Sequence, residues 1–320
     1  MSFEATGGPR YNVNVVHLNL DFLGNFDLMQ ASVFPALQSA ARYNVAIVYW
    51  ELSSLEGERA VGLQAFDEVW CATTFIADAV RSAGFSKTRI VRPALKGMQP
   101  PSRSTVQRLS APARHTFLFV CDIGHGPLRK NVDTLIKAFA EEFNEDQGVL
   151  CVIKLINATD ASLAILRALI GSRRDIILVE KTLNDEEMAR LFAECDCYVS
   201  PHRSEGLGLT VLEAMSIAKP IICTPYGGVT DFVSSDNAIL LEYDVERVGD
   251  GDAVYPAAAL WANPRLASLK TAMRQAYRDR DHAVELGRRA QASVHRLFSP
   301  PDTATILLEE FRRIQRDAFS

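Results

Sequence analysis

The stretch from 200 to 233, SPHRSEGLGLTVLEAMSIAKPIICTPYGGVTDFV, constrains this chain more than any other. An apolar run, Cys197, Tyr198 and Val199, stops at the polar, glycine-containing segment HRSEGLG. The pattern then predicts a helix over 210–217 and an apolar strand over 220–223. Strand, loop, helix, strand is the unit from which parallel sheets are built. Gly206 and Gly208 would let the backbone approach a ligand closely where the helix begins. The N–H groups and positive dipole end of such a helix suit an anion, a phosphate above all. Glu205 lies in the loop and Glu213 reads as part of the first helical turn. Carboxylates so near a phosphate would be repelled by it, so they are better suited to accepting hydrogen bonds from sugar hydroxyls. The plainer alternative, an amphipathic helix whose glutamate favours the N-terminal dipole, leaves the GLG loop unexplained.

Glu205, seven intervening residues and Glu213, set in SEGLGLTVLEAM and followed by KPIICTPYGG, resemble the E-x7-E signature of retaining glycosyltransferases of the GT-B fold, the group-one (family-four) kind. The resemblance implies that Glu205 contacts the donor sugar and Glu213 the nucleotide ribose. It implies that the backbone of Gly206, Leu207, Gly208, Leu209 and Thr210 meets the sugar and diphosphate. His202, inside the same segment, reads either as a lining of the donor pocket or as a loop hydrogen-bonder. The implied fold is α/β, a GT-B-like pair of Rossmann-like, doubly wound parallel-sheet domains.

Composition bounds the alternatives. The 320 residues suffice for two domains of ordinary size, and 48% hydrophobic content fits a globular chain. A net charge of −5 argues against nucleic acid as the main partner. The six cysteines sit mostly in apolar runs and read as small core residues in a reducing compartment, not as a disulfide framework. Cys195 and Cys197 lack the spacing of a zinc site. The N-terminus has no signal-peptide pattern and no apolar run approaches about 20 residues. A cytoplasmic location is expected, with peripheral membrane contact left open.

In chain order, 1–10 is polar. The segment 12–18 reads as a buried strand ending near His17, and 28–43 as a helix through Leu28, Val33, Leu37 and Ala41. Residues 44–50 form a second strand with Glu51 at its carboxyl end, so that His17 and Glu51 both face a ligand-binding edge. Strands over 67–71 and 88–92 enclose a helix over 75–83. RYNVAIVYWELSSL, FDEVWCATTFIADAV and TRIVRPAL resemble the later part of the acceptor-side domain in a subgroup of the same transferases. This implies a first domain, 1–97, that is incomplete: a shortened acceptor domain, or a piece of a longer one. A proline- and serine-rich linker covers 98–114.

The donor-side domain is expected over 115–299, opening with a strand at 116–121, then DIGHGPLRKN and a helix on which Val132, Leu135, Ile136, Phe139 and Phe143 form one face. Lys130 precedes that helix, where an ammonium can reach a phosphate. The resemblance gives such a lysine to the donor diphosphate with an arginine upstream; an ungapped placement puts His125 there, while Arg129 adjoins Lys130. Strands at 148–156 and 175–179, a helix at 161–170 and an Asn184-capped helix with Asp185, Glu186 and Glu187 in its first turn follow. After a strand at 238–241, YPAAALWANP resembles the subgroup again. Helices are expected at 264–278 and 281–298, and an amphipathic helix within 300–320.

The resulting expectation is transfer of a sugar from a nucleotide-sugar donor to a glycan or other hydroxyl acceptor, with retention of anomeric configuration. The subgroup leans towards a GDP-mannose-like donor. Glu205, Lys130 and His17 are the catalytic candidates; Arg129, Gly206, Leu207, Gly208, Leu209, Thr210, Glu213 and His202 bind the donor; no metal or other cofactor is expected. The alternative is a catalytically impaired nucleotide-sugar-binding module or a fragment of a larger transferase. A dinucleotide-dependent oxidoreductase is disfavoured because no G-x-G-x-x-G follows a strand.

Overall fold

The computed structural model describes residues 12–20, 42–95, 115–124, 127–250, 252 and 254–319. The helix expected over 28–43 falls almost wholly outside them, as do the segment 1–10, the linker 98–114 and His125. In chain order the elements are β1 (Val13–Asn19), β2 (Tyr43–Tyr49), α1 (Glu58–Gly62), β3 (Glu68–Cys71), α2 (Thr74–Ser82), β4 (Thr88–Ile90), β5 (His115–Asp122), α3 (Pro127–Lys130), α4 (Val132–Glu142), β6 (Val149–Ile156), α5 (Asp160–Ile170), β7 (Ile176–Val179), α6 (Asp185–Glu194), β8 (Cys197–Ser200), α7 (Leu209–Ser216), β9 (Ile221–Cys223), β10 (Ile239–Leu240), β11 (Tyr243–Arg247), β12 (Leu260–Pro264), α8 (Leu266–Arg278), α9 (Arg280–Leu297) and α10 (Pro300–Phe319). They fall into two compact units. One comprises Met1–Ala94, Glu205–Leu207 and Phe298–Ser320, the other Leu95–Ser204 and Gly208–Leu297.

The first unit carries a parallel sheet in the order β1-β2-β3-β4. Its core gathers Val45, Trp70, Val91 and Ile314, with Ile306, Leu307 and Phe311 of α10 packed against them. The amphipathic α10 is held to this sheet by charge as well as by apolar contact. Glu68, only 1% exposed, accepts from Arg313 Nη2 at both oxygens (2.5 and 2.6 Å), from Trp70 Nε1 (2.8 Å) and from the Tyr43 hydroxyl (3.0 Å). A buried carboxylate persists only when its lone pairs are so satisfied. Burial, then the Glu68 charge, pushes the Tyr43 phenol up to about 12.

The expectation of a buried first strand is corrected here. In β1 only Leu18 is buried, while Val15 and His17 are exposed. Among the described residues β1 has one neighbour, β2, and an apolar run alone does not separate an edge strand from a central one. The strand also runs two residues past His17, to Asn19.

The second unit carries a six-stranded parallel sheet in the order β10-β9-β8-β5-β6-β7. The chain winds outward from β5 through β6 to β7, then returns to β8 and winds the other way. Such a reversal leaves a crevice at the carboxyl ends of the two strands it separates, here β5 and β8. Seven of the eight residues of β5 are buried, as a strand covered on both faces requires. α4 lays Val132, Leu135, Ile136, Ala138 and Phe139 on the sheet, and Phe117, Phe139 and Phe143 form a ring cluster with centroids 5.2 to 6.5 Å apart. The cap of α6 forms as the sequence predicts: Asn184 and Glu187 each accept from the other's backbone N–H at 2.9 Å. All six cysteines are buried and free. The hairpin was not legible: β11 and β12 pair antiparallel, although the sequence places no strand over 243–247 and reads 264 as a helix start; the short helices α1 and α3 were not foreseen either.

Candidate active site

The candidate residues of the second unit lie at the carboxyl ends of β5 and β8, where the winding reverses. Beyond β5, α3 ends in Arg129 and Lys130, and Asn131 turns the chain into α4 with φ 58° and ψ 39°. Asparagine is among the few residues with a side chain that tolerate this left-handed region. Three hydrogen bonds stitch this turn to the loop after β8. Asn131 Nδ2 donates to Pro201 O (2.9 Å), Arg129 Nη1 donates to Ser204 O (2.8 Å), and Arg203 N donates to Arg129 O (2.8 Å). Arg129 is 6% exposed and so serves as a strut between the two loops. Lys130 is half-buried beside it.

His202 is fully buried. A carbonyl oxygen can only accept, so His202 donates from Nε2 to Tyr226 O (3.2 Å), and Nδ1 accepts from the Ser200 hydroxyl (2.9 Å). His202 therefore braces the loops after β8 and β9. No side chain caps α7, whose N-cap is Gly208 at φ 78°. A Cβ there would stand 2.5 Å from Val229 Cγ1, so both dihedral and space demand glycine. Leu209 and Thr210 open the helix at its positive dipole end.

Glu213 requires a second correction. The helix begins at Leu209, one residue earlier than the sequence predicts, with no acidic residue in its first turn. Glu213 is the fifth helical residue, one turn in, and any reading of it as a complement to the N-terminal dipole fails because that effect fades beyond the first turn. Its carboxyl is instead partly buried. Desolvation, with the charge of Asp185 a smaller cause, pushes it up to about 7.

Glu205, Gly206 and Leu207 group with the first unit. The Thr73 hydroxyl donates to Gly206 O (2.8 Å). A Cβ on Gly206 would stand 2.4 Å from Trp50 O, so a protein neighbour also demands glycine there. His17 lies exposed on β1, its ring 5.1 Å from that of Tyr49. Glu51 is half-buried just past the carboxyl end of β2. Arg203 was missed as a structural hub; its place inside HRSEGLG was the available signal. Among the described residues no cluster of three or more His, Cys, Asp or Glu is placed to hold a metal ion, and no helix is long and apolar enough to cross a membrane.

Comparison with known proteins bears on this arrangement. Residues 114–251 match the family described as Glycosyl transferases group 1. A stretch of 55 residues is 42% identical to the sulfoquinovosyl transferase SQD2 of Arabidopsis thaliana, covering 17% of this chain and 11% of that protein. A stretch of 105 residues is 34% identical to the lipopolysaccharide core biosynthesis mannosyltransferase LpsB of Rhizobium meliloti, covering 31% of this chain and 28% of that one. The matches thus span well under two thirds of either relative. The crystal structure of HepE from Anabaena in complex with UDP and glucose superposes with a TM-score of 0.73 at 15% identity, over 95% of this chain and 78% of HepE. That likeness establishes the fold class, the α/β, GT-B type with two Rossmann-like sheets.

Proposed function

From a chain of GT-B fold whose residues 114–251 match the group 1 glycosyl transferases, we propose a retaining glycosyltransferase that moves a hexose from a nucleotide-sugar to an acceptor hydroxyl. The observation that carries the reading is the stitched pair of loops at the carboxyl ends of β5 and β8, with Lys130 on one and, beyond the other, the uncapped α7.

Such a transfer asks two things of the protein. The departing diphosphate must be neutralised, and the sugar must be held while positive charge develops at its anomeric carbon. The Lys130 ammonium and the N–H groups at the start of α7 answer the first need. Arg129 supports them from its buried position. Glu205, on the resemblance to the E-x7-E transferases, accepts from the sugar hydroxyls and Glu213 from the ribose, each charge-assisted bond contributing about 1.5–3 kcal/mol. The backbone from Gly206 to Thr210 passes along the sugar and diphosphate. No side chain is assigned as a nucleophile. The leaving diphosphate itself assists attack of the acceptor hydroxyl on the same face, and His17 stands on the acceptor side. No metal is required.

The subgroup resemblance leans towards a GDP-mannose-like donor and one relative is a mannosyltransferase, while HepE was solved with UDP. Isothermal calorimetry against UDP, GDP and ADP, then the matching sugar nucleotides, decides between them. Selective binding of one diphosphate, weakened in Lys130→Ala, supports the assignment. Binding of none, or equal affinity in the variant, overturns it.

A further inference from the structure

The β11–β12 hairpin packs on the loops that the proposed donor site uses, and Arg203 is where it grips them. The guanidinium carbon of Arg203 lies 5.3 Å from the Trp261 ring centroid, in cation–π geometry. Its Nη1 donates to Glu246 Oε1, and Glu246 Oε2 accepts from Asn263 Nδ2 at 2.9 Å. The backbone is held as well: Arg203 O accepts from Ala262 N (2.9 Å), while Arg203 N donates to Arg129 O (2.8 Å). A single residue thus joins the hairpin to the loops after β5 and β8. The hairpin also reaches the loop after β9, because Tyr226 stacks edge-on against Tyr243 (5.7 Å) and its hydroxyl donates to Leu260 O (3.4 Å). Tyr226 O is the acceptor for His202, which closes a circuit through both loops.

We propose that Arg203, clamped between Trp261 and Glu246, is a positioning residue that fixes the segment 201–204 and so aims the following Glu205 at the donor sugar. The inference rests on the donor-site reading and extends it to the hairpin. The side chain of Arg203 is 17% exposed and that of Glu246 40%, whereas Trp261 is 2% exposed, so the clamp runs from the core of the unit to its surface. Glu246 takes Arg203 Nη1 and Trp261 covers its guanidinium face, which assigns Arg203 to orientation and diphosphate contact to Lys130 and α7. Loosening the clamp should therefore cost sugar recognition more than nucleotide recognition.

Glu246→Gln, Trp261→Leu and Trp261→Phe separate these effects when the full chain is titrated with the nucleoside diphosphate it prefers and with the corresponding sugar nucleotide. Glu246→Gln and Trp261→Leu should lose about tenfold in sugar-nucleotide affinity, the weight of one charge-assisted or cation–π contact, and stay within about twofold for the diphosphate. Trp261→Phe, which keeps an aromatic face for Arg203, should stay near wild type. Equal losses for both ligands would reduce the clamp to general support of the fold, and unchanged affinities in Glu246→Gln and Trp261→Leu would eliminate it. Should Trp261→Leu not fold, Glu246→Gln alone decides. A wild-type chain that binds no diphosphate overturns the donor-site reading and the clamp with it.

Discussion

Glu213→Gln should make the protein more stable and a poorer binder at once. The side chain of Glu213 is partly buried on α7, and desolvation raises its carboxyl from the ordinary 4.5 to about 7. At about 1.4 kcal/mol per pH unit of displacement, ionising it in the folded chain costs about 3 kcal/mol. Below pH 4.5 the carboxyl is protonated in both folded and unfolded chains and no penalty exists. Between 4.5 and 7 the folded chain binds the extra proton, so stability falls as pH rises, and above 7 the whole penalty is present. Glutamine keeps the shape and an acceptor oxygen without the charge. The stability difference between Glu213→Gln and wild type should be near zero at pH 4.5 and grow to about 3 kcal/mol by pH 8. His115 works in the opposite sense, since burial, its largest cause, pushes that imidazole down to about 4, with Asp196 opposing and Arg280 assisting. Its contribution is lost as pH falls from 6.5 to 4, equally in both proteins, so it cancels in the difference. Urea denaturation at pH 4.5, 6 and 8 gives the stability comparison. Calorimetry with the preferred nucleotide should show a loss of about ten- to a hundredfold at pH 8, the equivalent of one charge-assisted bond. A variant no more stable than wild type at pH 8 would refute the desolvation argument, and unchanged affinity would remove Glu213 from the donor site.

Four further outcomes follow. Gly287→Ala should cost about 1–3 kcal/mol by overpacking, because its Cβ would stand 2.4 Å from Ala218 O and 2.9 Å from two further backbone atoms; a thermal midpoint equal to wild type would contradict this. Ala218→Gly should stabilise by about 0.5–1 kcal/mol, since Ala218 holds φ 60° against the left-handed penalty, as the same scan would register. Glu68→Ala should cost about 1–3 kcal/mol, because the buried Trp70 Nε1 loses its acceptor while Arg313 keeps Glu310 and Asp317, and spectroscopic titration should find the Tyr43 phenol below about 12 once the Glu68 charge is gone; an unchanged phenol would deny the pairing. His17→Ala should reduce turnover while sparing nucleotide affinity, and unchanged turnover would make it a surface residue only.

Local signals in the sequence were sufficient for several of the second unit's regular elements. The strand at Cys197–Ser200, the Asn184 cap with its three acids, and the apolar face of the helix from Val132 follow from patterns of a few residues, and the structure has all three. The position of Glu213 in its helix was misjudged by one residue, enough to move it out of the first turn. Thr210 looks like a helix start, whereas Gly208 begins the helix through a dihedral that only the folded loop imposes. The hairpin of β11 and β12 escaped because its two strands are separated by residues 248–259 and carry no tight-turn signal.

The sequence by itself determined the alternation of strands and helices, the glycine-bearing loop before α7 and the chemical kinds of residue in it, because periodicity and backbone permissiveness are local properties. The tertiary structure alone decided which of them are buried struts between loops. Arg129 and His202 became buried struts because their partners, Ser204 and Arg203 in one case and Ser200 and Tyr226 in the other, meet only when β8 comes to lie beside β5 and β9. The raised carboxyl of Glu213 likewise reflects desolvation, a property of the packed surroundings that no stretch of sequence contains.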